Sequence, residues 1–262
     1  MIFIQIFFIL LLNPTSQELK LVKSLPLQAI TFTTDNTGNY YIVSPQNEII
    51  KHKQDGTLLA TYDDKTRGEI SSVNTSIPLE VFLFYQDQHQ IVYLDNTMSQ
   101  KSTIDLEQYN LTQVSLACPS YDKGIWVYDE FDFELKKYDT QLNLVQKSGN
   151  LNSLVGTSME PNYLTENNDW VYLNNPTSGI LVLDIYGTYS KTIPILAIDQ
   201  FQVKGDYIYY LKENKLHSYH IKTLEDRIIF VEGNIEFNSV RVEKERVFLM
   251  TKDQLYIYEI TF

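Results

Sequence analysis

One cysteine, Cys118, stands in a chain of 262 residues. No internal disulfide can form, and none is needed: a chain of this length buries roughly 70–75% of the surface its unfolded form exposes. A lone thiol of this kind is expected to be buried rather than reactive. Basic residues are scarce too, with 21 lysines and arginines against 33 aspartates and glutamates, a net charge of −12. Nucleic-acid binding needs basic side chains to displace phosphate counterions, so that class is excluded, and adsorption to anionic lipid is disfavoured. The acidic surface serves solubility. A bilayer span takes about twenty apolar residues, and no stretch of the chain reaches that, so no direct membrane span is expected. Helical periodicity is also missing: no window of about eleven or more residues holds a 3.6-residue apolar period.

The chain does have strands, and they recur. Six times an aromatic-rich strand runs into a tight turn and a second strand: at 39–53, 80–95, 124–139, 169–184, 206–220 and 245–259. The copies end on His52, Leu94, Tyr138, Leu183, Tyr219 and Tyr258, in steps of 42, 44, 45, 36 and 39 residues. A repeat near forty residues built from short strands is the signature of a β-propeller. Reading outward from each copy gives blade units at 28–64, 70–106, 112–149, 161–195, 199–231 and 237–262. Five of them hold four strands, while the sixth is one short. Residues 19–27, LKLVKSLPL, alternate apolar positions and precede the first full unit. The expected fold is all-β: a six-bladed β-propeller over 17–262, closed by this N-terminal strand, which completes the last blade and covers its open edge.

Residues 2–12, IFIQIFFILLL, lead into Asn13, Pro14, Thr15 and Ser16. The run is too short to span a bilayer and fits a secretory h-region, so 1–16 is read as a signal peptide with cleavage before Gln17.

The stretch Gly38-Asn39-Tyr40-Tyr41-Ile42-Val43, followed by Asn47 to His52 and then Asp55-Gly56-Thr57-Leu58, resembles an NHL-type repeat. So does the segment from Gly179 through Asp184 and Gly187 to Tyr189. The chain thereby resembles divergent six-bladed propellers of exported bacterial proteins, including those of Bacteroidota. The resemblance implies binding surfaces rather than a chemistry. With the leader, it implies the periplasm or cell envelope of a Gram-negative bacterium, or secretion as the alternative.

The densest acidic cluster, Asp129, Glu130, Asp132 and Glu134, falls at a hairpin turn and lacks the glycine and spacing of a calcium loop. His217 and His220 are three apart on a strand, which sends them to opposite faces. Propeller lactonases and lyases gather carboxylates or histidines around a central metal, whereas only Glu160 and Asp199 stand near the expected rim here. No serine sits in a nucleophile elbow and no glycine-rich loop follows a strand. No catalytic residue, metal ligand or cofactor is therefore expected.

Two segments differ from copy to copy and carry apolar side chains that a connection does not need. Phe131 and Phe133 occupy a polar turn, and Leu151, Leu154, Val155 and Met159 occupy the longest connection, 149–162. These six are the candidate partner-binding residues. The expected function is a non-catalytic binding or scaffolding propeller that engages a protein partner through one rim. The alternatives are a propeller hydrolase or lyase with a metal in its channel, and a sensor of a small sugar or peptide.

Overall fold

The structure, a computed structural model, describes residues 18–231, 233 and 235–261; the expected signal peptide at 1–16 lies outside the described residues. The described residues form six antiparallel sheets of four strands. β1 (Glu18–Pro26) comes first in the chain. Blade 1 is β2 (Thr31–Thr34), β3 (Tyr40–Val43), β4 (Ile49–His52) and β5 (Leu58–Tyr62). Blade 2 is β6 (Ser72–Asn74), β7 (Glu80–Tyr85), β8 (Gln90–Asp95) and β9 (Gln100–Asp105). Blade 3 is β10 (Val114–Pro119), β11 (Ile125–Asp129), β12 (Glu134–Tyr138) and β13 (Leu144–Lys147). Blade 4 is β14 (Tyr163–Asn167), β15 (Trp170–Asn175), β16 (Gly179–Asp184) and β17 (Tyr189–Ile193). Blade 5 is β18 (Phe201–Lys204), β19 (Tyr207–Lys212), β20 (Lys215–His220) and β21 (Asp226–Ile229). Blade 6 is β22 (Ser239–Glu243), β23 (Arg246–Met250) and β24 (Gln254–Thr261), with β1 as its outer strand. The N-terminal strand closes the ring, as its apolar alternation and the incomplete sixth unit implied.

The burial pattern explains why each strand has its composition. In the second strand of every blade but the fifth nearly every residue is buried, as in YYIV of β3 or IWVYD of β11, because neighbouring blades cover both faces of the sheet; in β19 only Ile208 and Tyr210 are. Such strands lose the in–out alternation and become runs of β-branched and aromatic residues. Outer strands such as β9, QKSTID, keep only a weak inner side and are polar.

Six apolar clusters match the six seams between blades. Trp126, Tyr128 and Leu135 of blade 3 meet Leu164, Val171 and Leu173 of blade 4. Phe248, Leu255 and Ile257 of blade 6 meet Phe32, Tyr40 and Ile42 of blade 1, so the seam across the closure is as apolar as the others. Burying each such side chain fully contributes about 1.5–3 kcal/mol. Two short helical turns interrupt the strands: a 3-10 turn at Leu106–Tyr109, and α1 at Leu151–Val155. The second lies in the connection 149–162, where no helical period announces it. Its ends are nonetheless local in origin: the Asn150 side chain accepts from the Ser153 N–H, and Gly156 stops the turn at φ 74°.

Candidate functional site at the central channel

Each innermost strand (β2, β6, β10, β14, β18 and β22) has a strand neighbour on one side only. Its other edge faces the ring axis and must find partners for its backbone groups. Side chains of adjacent blades supply some of them. The Val242 N–H donates to Gln202 Oε1 at 2.6 Å, and Thr75 Oγ1 donates to the Thr34 carbonyl at 2.8 Å. The rest of the axis is open.

Two cavities lie along it. The upper one, about 520 Å³, opens on the face where the inner strands begin and where the blade-to-blade connections run. The lower one, about 210 Å³, opens at the opposite ends of the same strands. Thr33, Val73, Asn74, Tyr163 and Arg241 line both, and so form a waist between them.

The lower cavity is polar but internally satisfied. Glu243 accepts from Thr34 Oγ1 and Gln202 Nε2, each at 2.9 Å, and pairs with the Lys204 ammonium. Glu166 accepts from Ser120 Oγ and Trp126 Nε1 at 2.6 Å, and from the Tyr121 N–H at 2.9 Å. These carboxylates are buried and occupied. In the wall of the upper cavity, by contrast, the buried Ser72 and Ser115 hydroxyls have no hydrogen-bond partner among the described residues. Glu130 and Asp199, both exposed, stand on its wall. At its foot is Arg241, only 6% exposed, whose guanidinium donates to the Val240 carbonyl at 2.7 Å and to Gln200 Oε1 at 3.1 Å. Burial pushes the Tyr163 phenol up, and the nearby Arg241 charge works against that shift.

The candidate residues fall in different surroundings. Phe131, at the tip of the β11–β12 turn, is 78% exposed, and Leu154 on α1 is 49% exposed. Phe133 is half-buried with φ 55°. Leu151 and Met159 are buried in the seam between blades 3 and 4, with Val155 packed against them. Their apolar character is thus accounted for by packing, and Phe131 and Leu154 are the two members on offer at the upper face. The Leu151 N–H donates to the Phe133 carbonyl at 2.8 Å and Asn150 Nδ2 to that of Asp132 at 2.9 Å, so turn and helix form one unit.

Two carboxylates of the acidic turn are held from within. Lys136 reaches Asp129 at 2.8 Å and also pairs with Asp132. Burial works to lower its pKa, but the two carboxylates outweigh it and hold the ammonium well above its ordinary value. His217 bonds Asp226 at 3.1 Å, whereas His220 bonds Thr223, so the pair is divided as the strand spacing implied. Among the described residues no group of three or more His, Cys, Asp or Glu is placed to hold a metal ion. Cys118 is buried in the same seam as Trp126, and burial pushes its thiol pKa up. Asp199 does reach the rim, while Glu160 is exposed and lines neither cavity. Arg241, Glu166 and Glu243 do not stand out in the sequence alone. One signal was available: in SVRVE of β22, charged residues alternate with valines on an innermost strand.

The fold and site define a six-bladed β-propeller with an open, polar channel. No family model and no curated protein matches the chain. Among solved structures it is similar to virginiamycin B lyase from Staphylococcus aureus, with 12% identity, a TM-score of 0.67, and 93% of this chain and 100% of that one covered. It is also similar to the Pan2 WD40 domain of Neurospora crassa, at 10% identity and a TM-score of 0.65, covering 93% and 96%. An extracellular domain from B. thetaiotaomicron aligns at 14% identity and a TM-score of 0.56, covering 87% of this chain and 32% of that one. An enzyme, a WD40 domain and an extracellular domain share one architecture here, so the likeness is one of fold. No described helix is long and apolar enough to cross a membrane.

Proposed function

We propose that this chain is an exported, non-catalytic binding propeller of the cell envelope that takes a small polar ligand into the upper cavity. The observation that carries this reading is the cavity itself: about 520 Å³, open at one face, with hydroxyls buried in its wall that have no partner among the described residues. Ligand sites are typically about 300–1,000 Å³, with a few converging polar groups. Catalysis is not part of the reading: the buried channel carboxylates Glu166 and Glu243 are already held by three hydrogen-bond donors each, and the two carboxylates of the upper cavity, Glu130 and Asp199, are exposed at its mouth rather than gathered at its foot. A general acid or base needs a free group within reach of the reacting atom.

Calorimetric titration with a panel of small sugars and peptides tests it, alongside Asp199→Trp, which plugs the mouth from an exposed position. Binding that the plug removes, with the ligand recovered chemically intact, is the expected result. Turnover of the ligand would sink the non-catalytic reading, and binding indifferent to the plug would sink the site.

Phe131 and Leu154 favour a second mode on the same face, a protein partner resting on the rim. In a pull-down from envelope extracts, Phe131→Ser with Leu154→Ser should lose a partner that the wild type retains. An identical set of captured proteins would remove that mode.

A further inference from the structure

Arg241 is almost wholly withdrawn from water, yet it makes no ion pair among the described residues. Removing a guanidinium from solvent carries a large desolvation penalty, which proteins ordinarily offset with a carboxylate. The two buried carboxylates of the lower cavity are committed elsewhere, Glu243 to Lys204, Thr34 and Gln202, and Glu166 to Ser120, Tyr121 and Trp126. Among the described residues Arg241 has neutral partners only: the Val240 carbonyl, Gln200 Oε1, and the Phe32 ring, whose centroid is 5.8 Å from Cζ. The Gln200 amide is itself oriented, since its Nε2 donates to Ser239 Oγ at 2.7 Å. A guanidinium has five N–H donors. Two are engaged, which leaves three with no protein acceptor among the described residues. Ser72 and Ser115, whose buried hydroxyls have no partner among the described residues, belong to the wall of the same upper cavity.

We propose that Arg241 anchors a carboxylate-binding site at the waist of the channel, entered from the upper face. This rests on the reading of the upper cavity as a ligand site. The planar fork of arginine matches a carboxylate bidentately, and a single cation suits a monoanion. The exposed Glu130 and Asp199 at the mouth and the net charge of −12 disfavour a dianion. They favour a ligand whose outer end is neutral or cationic. Two sources present this chemistry: the C-terminal carboxylate of a short peptide, and the uronate of an acidic sugar.

The test is calorimetric titration with trialanine and its C-terminal amide in one arm, and the monoanion methyl galactosiduronate and its methyl ester in the other. The expected result is that one acid binds and that its neutral counterpart binds at least ~10-fold more weakly. Arg241→Gln should erase that preference and Arg241→Lys recover part of it. The arm that binds identifies the source. If neither acid binds at millimolar concentration, or if acid and neutral form bind alike, the proposal falls. Neutral forms whose binding Asp199→Trp blocks would still leave the cavity a ligand site, so the two failures are distinguishable.

Folding of the variants is a second readout. Removing an uncompensated buried cation should leave the ligand-free melting temperature unchanged or higher. A fall of more than ~5 °C in Arg241→Met would assign Arg241 to structure and overturn the anchor.

Discussion

Met98, Lys123 and Leu142 hold φ angles of 66°, 68° and 60° in turns where other blades place Gly38, Gly56 or Gly187. A left-handed backbone costs a non-glycine residue about 1–2 kcal/mol. Side-chain hydrogen bonds help hold such turns: Asp95 Oδ1 accepts from the N–H groups of Thr97 and Ser99, and Asp139 Oδ1 from those of Gln141 and Asn143. This is how the chain folds into so many tight turns with only ten glycines. Lys123 is exposed, so Lys123→Gly relieves the strain without losing packing. It should stabilise the protein by about 0.5–1 kcal/mol in urea denaturation. Met98→Gly should instead destabilise it, because Met98 is only 3% exposed and fills the seam between blades 1 and 2. The aspartates also set the acid limb. The Thr97 hydroxyl and the Ser99 and Thr97 N–H groups hold Asp95 below the ordinary 3.8, and Asn143 and the Gln141 N–H do the same for Asp139. A carboxyl with a depressed folded pKa contributes stability above its unfolded value. That contribution is lost as pH falls from about 4 through the lower folded value. The variant with Asp95→Asn and Asp139→Asn should therefore be less stable at neutral pH and lose less between about pH 4 and pH 2 than the wild type. Parallel pH profiles would contradict this.

The strands themselves were legible in the sequence, because aromatic and β-branched runs punctuated by turn residues report local structure. What links one blade to the next was not. The three donors that hold Glu166, namely Ser120, Tyr121 and Trp126, are 46, 45 and 40 residues away in sequence, which is one blade step. Glu243 meets Thr34 across 209 residues because the closure makes blade 6 a neighbour of blade 1. A single sequence shows such residues only as isolated charges in strands. Arg241 was hidden for the same reason: its meaning depends on which carboxylates are absent around it. The apolar residues of 149–162 were visible, but whether each packs or projects was decided by α1, a helix too short to leave a period. The Glu166 linkage gives a prediction for the element. Glu166→Ala strands three donors, two of them on buried side chains, and should cost about 2–4 kcal/mol in equilibrium unfolding. Loss of the Trp126 near-UV dichroism should accompany it. Glu166→Gln keeps one acceptor oxygen and should cost less. Equal costs for the two would mean that the linkage acts through packing alone.

A ring of blades has one place where covalent continuity between neighbouring strands fails, and here it lies in the last blade. β1 repairs it by pairing with β24 from Glu18 opposite Thr261 to Pro26 opposite Gln254. The register slips once, at Val22. Outer strands of blades 1 to 4 slip at the same point, at Leu59, Lys101, Val145 and Ser190. The N-terminal strand therefore reproduces the bulge of a true outer strand, and the bulge strengthens the twist that lets blades stack. It also sets which side chains face inward: Leu19 packs into the seam between blades 5 and 6, while Leu25 packs into that between blades 6 and 1. Lys23 Nζ donates to the Asp55 carbonyl of blade 1 at 2.7 Å, fastening the strand to the next blade. Deleting Val22 alone removes the bulge, and a one-residue slip turns every side chain before it to the opposite face. Leu19 would then leave its seam, at about 1.5–3 kcal/mol for its burial. Deleting 18–26 entirely would expose the β24 edge as well, and that edge is a template for pairing between copies. The expected order of melting temperature is wild type, then the Val22 deletion, then the strand deletion, with light scattering rising on heating only in the last. If the strand deletion melted with the wild type, closure by β1 would be incidental to the stability of the ring.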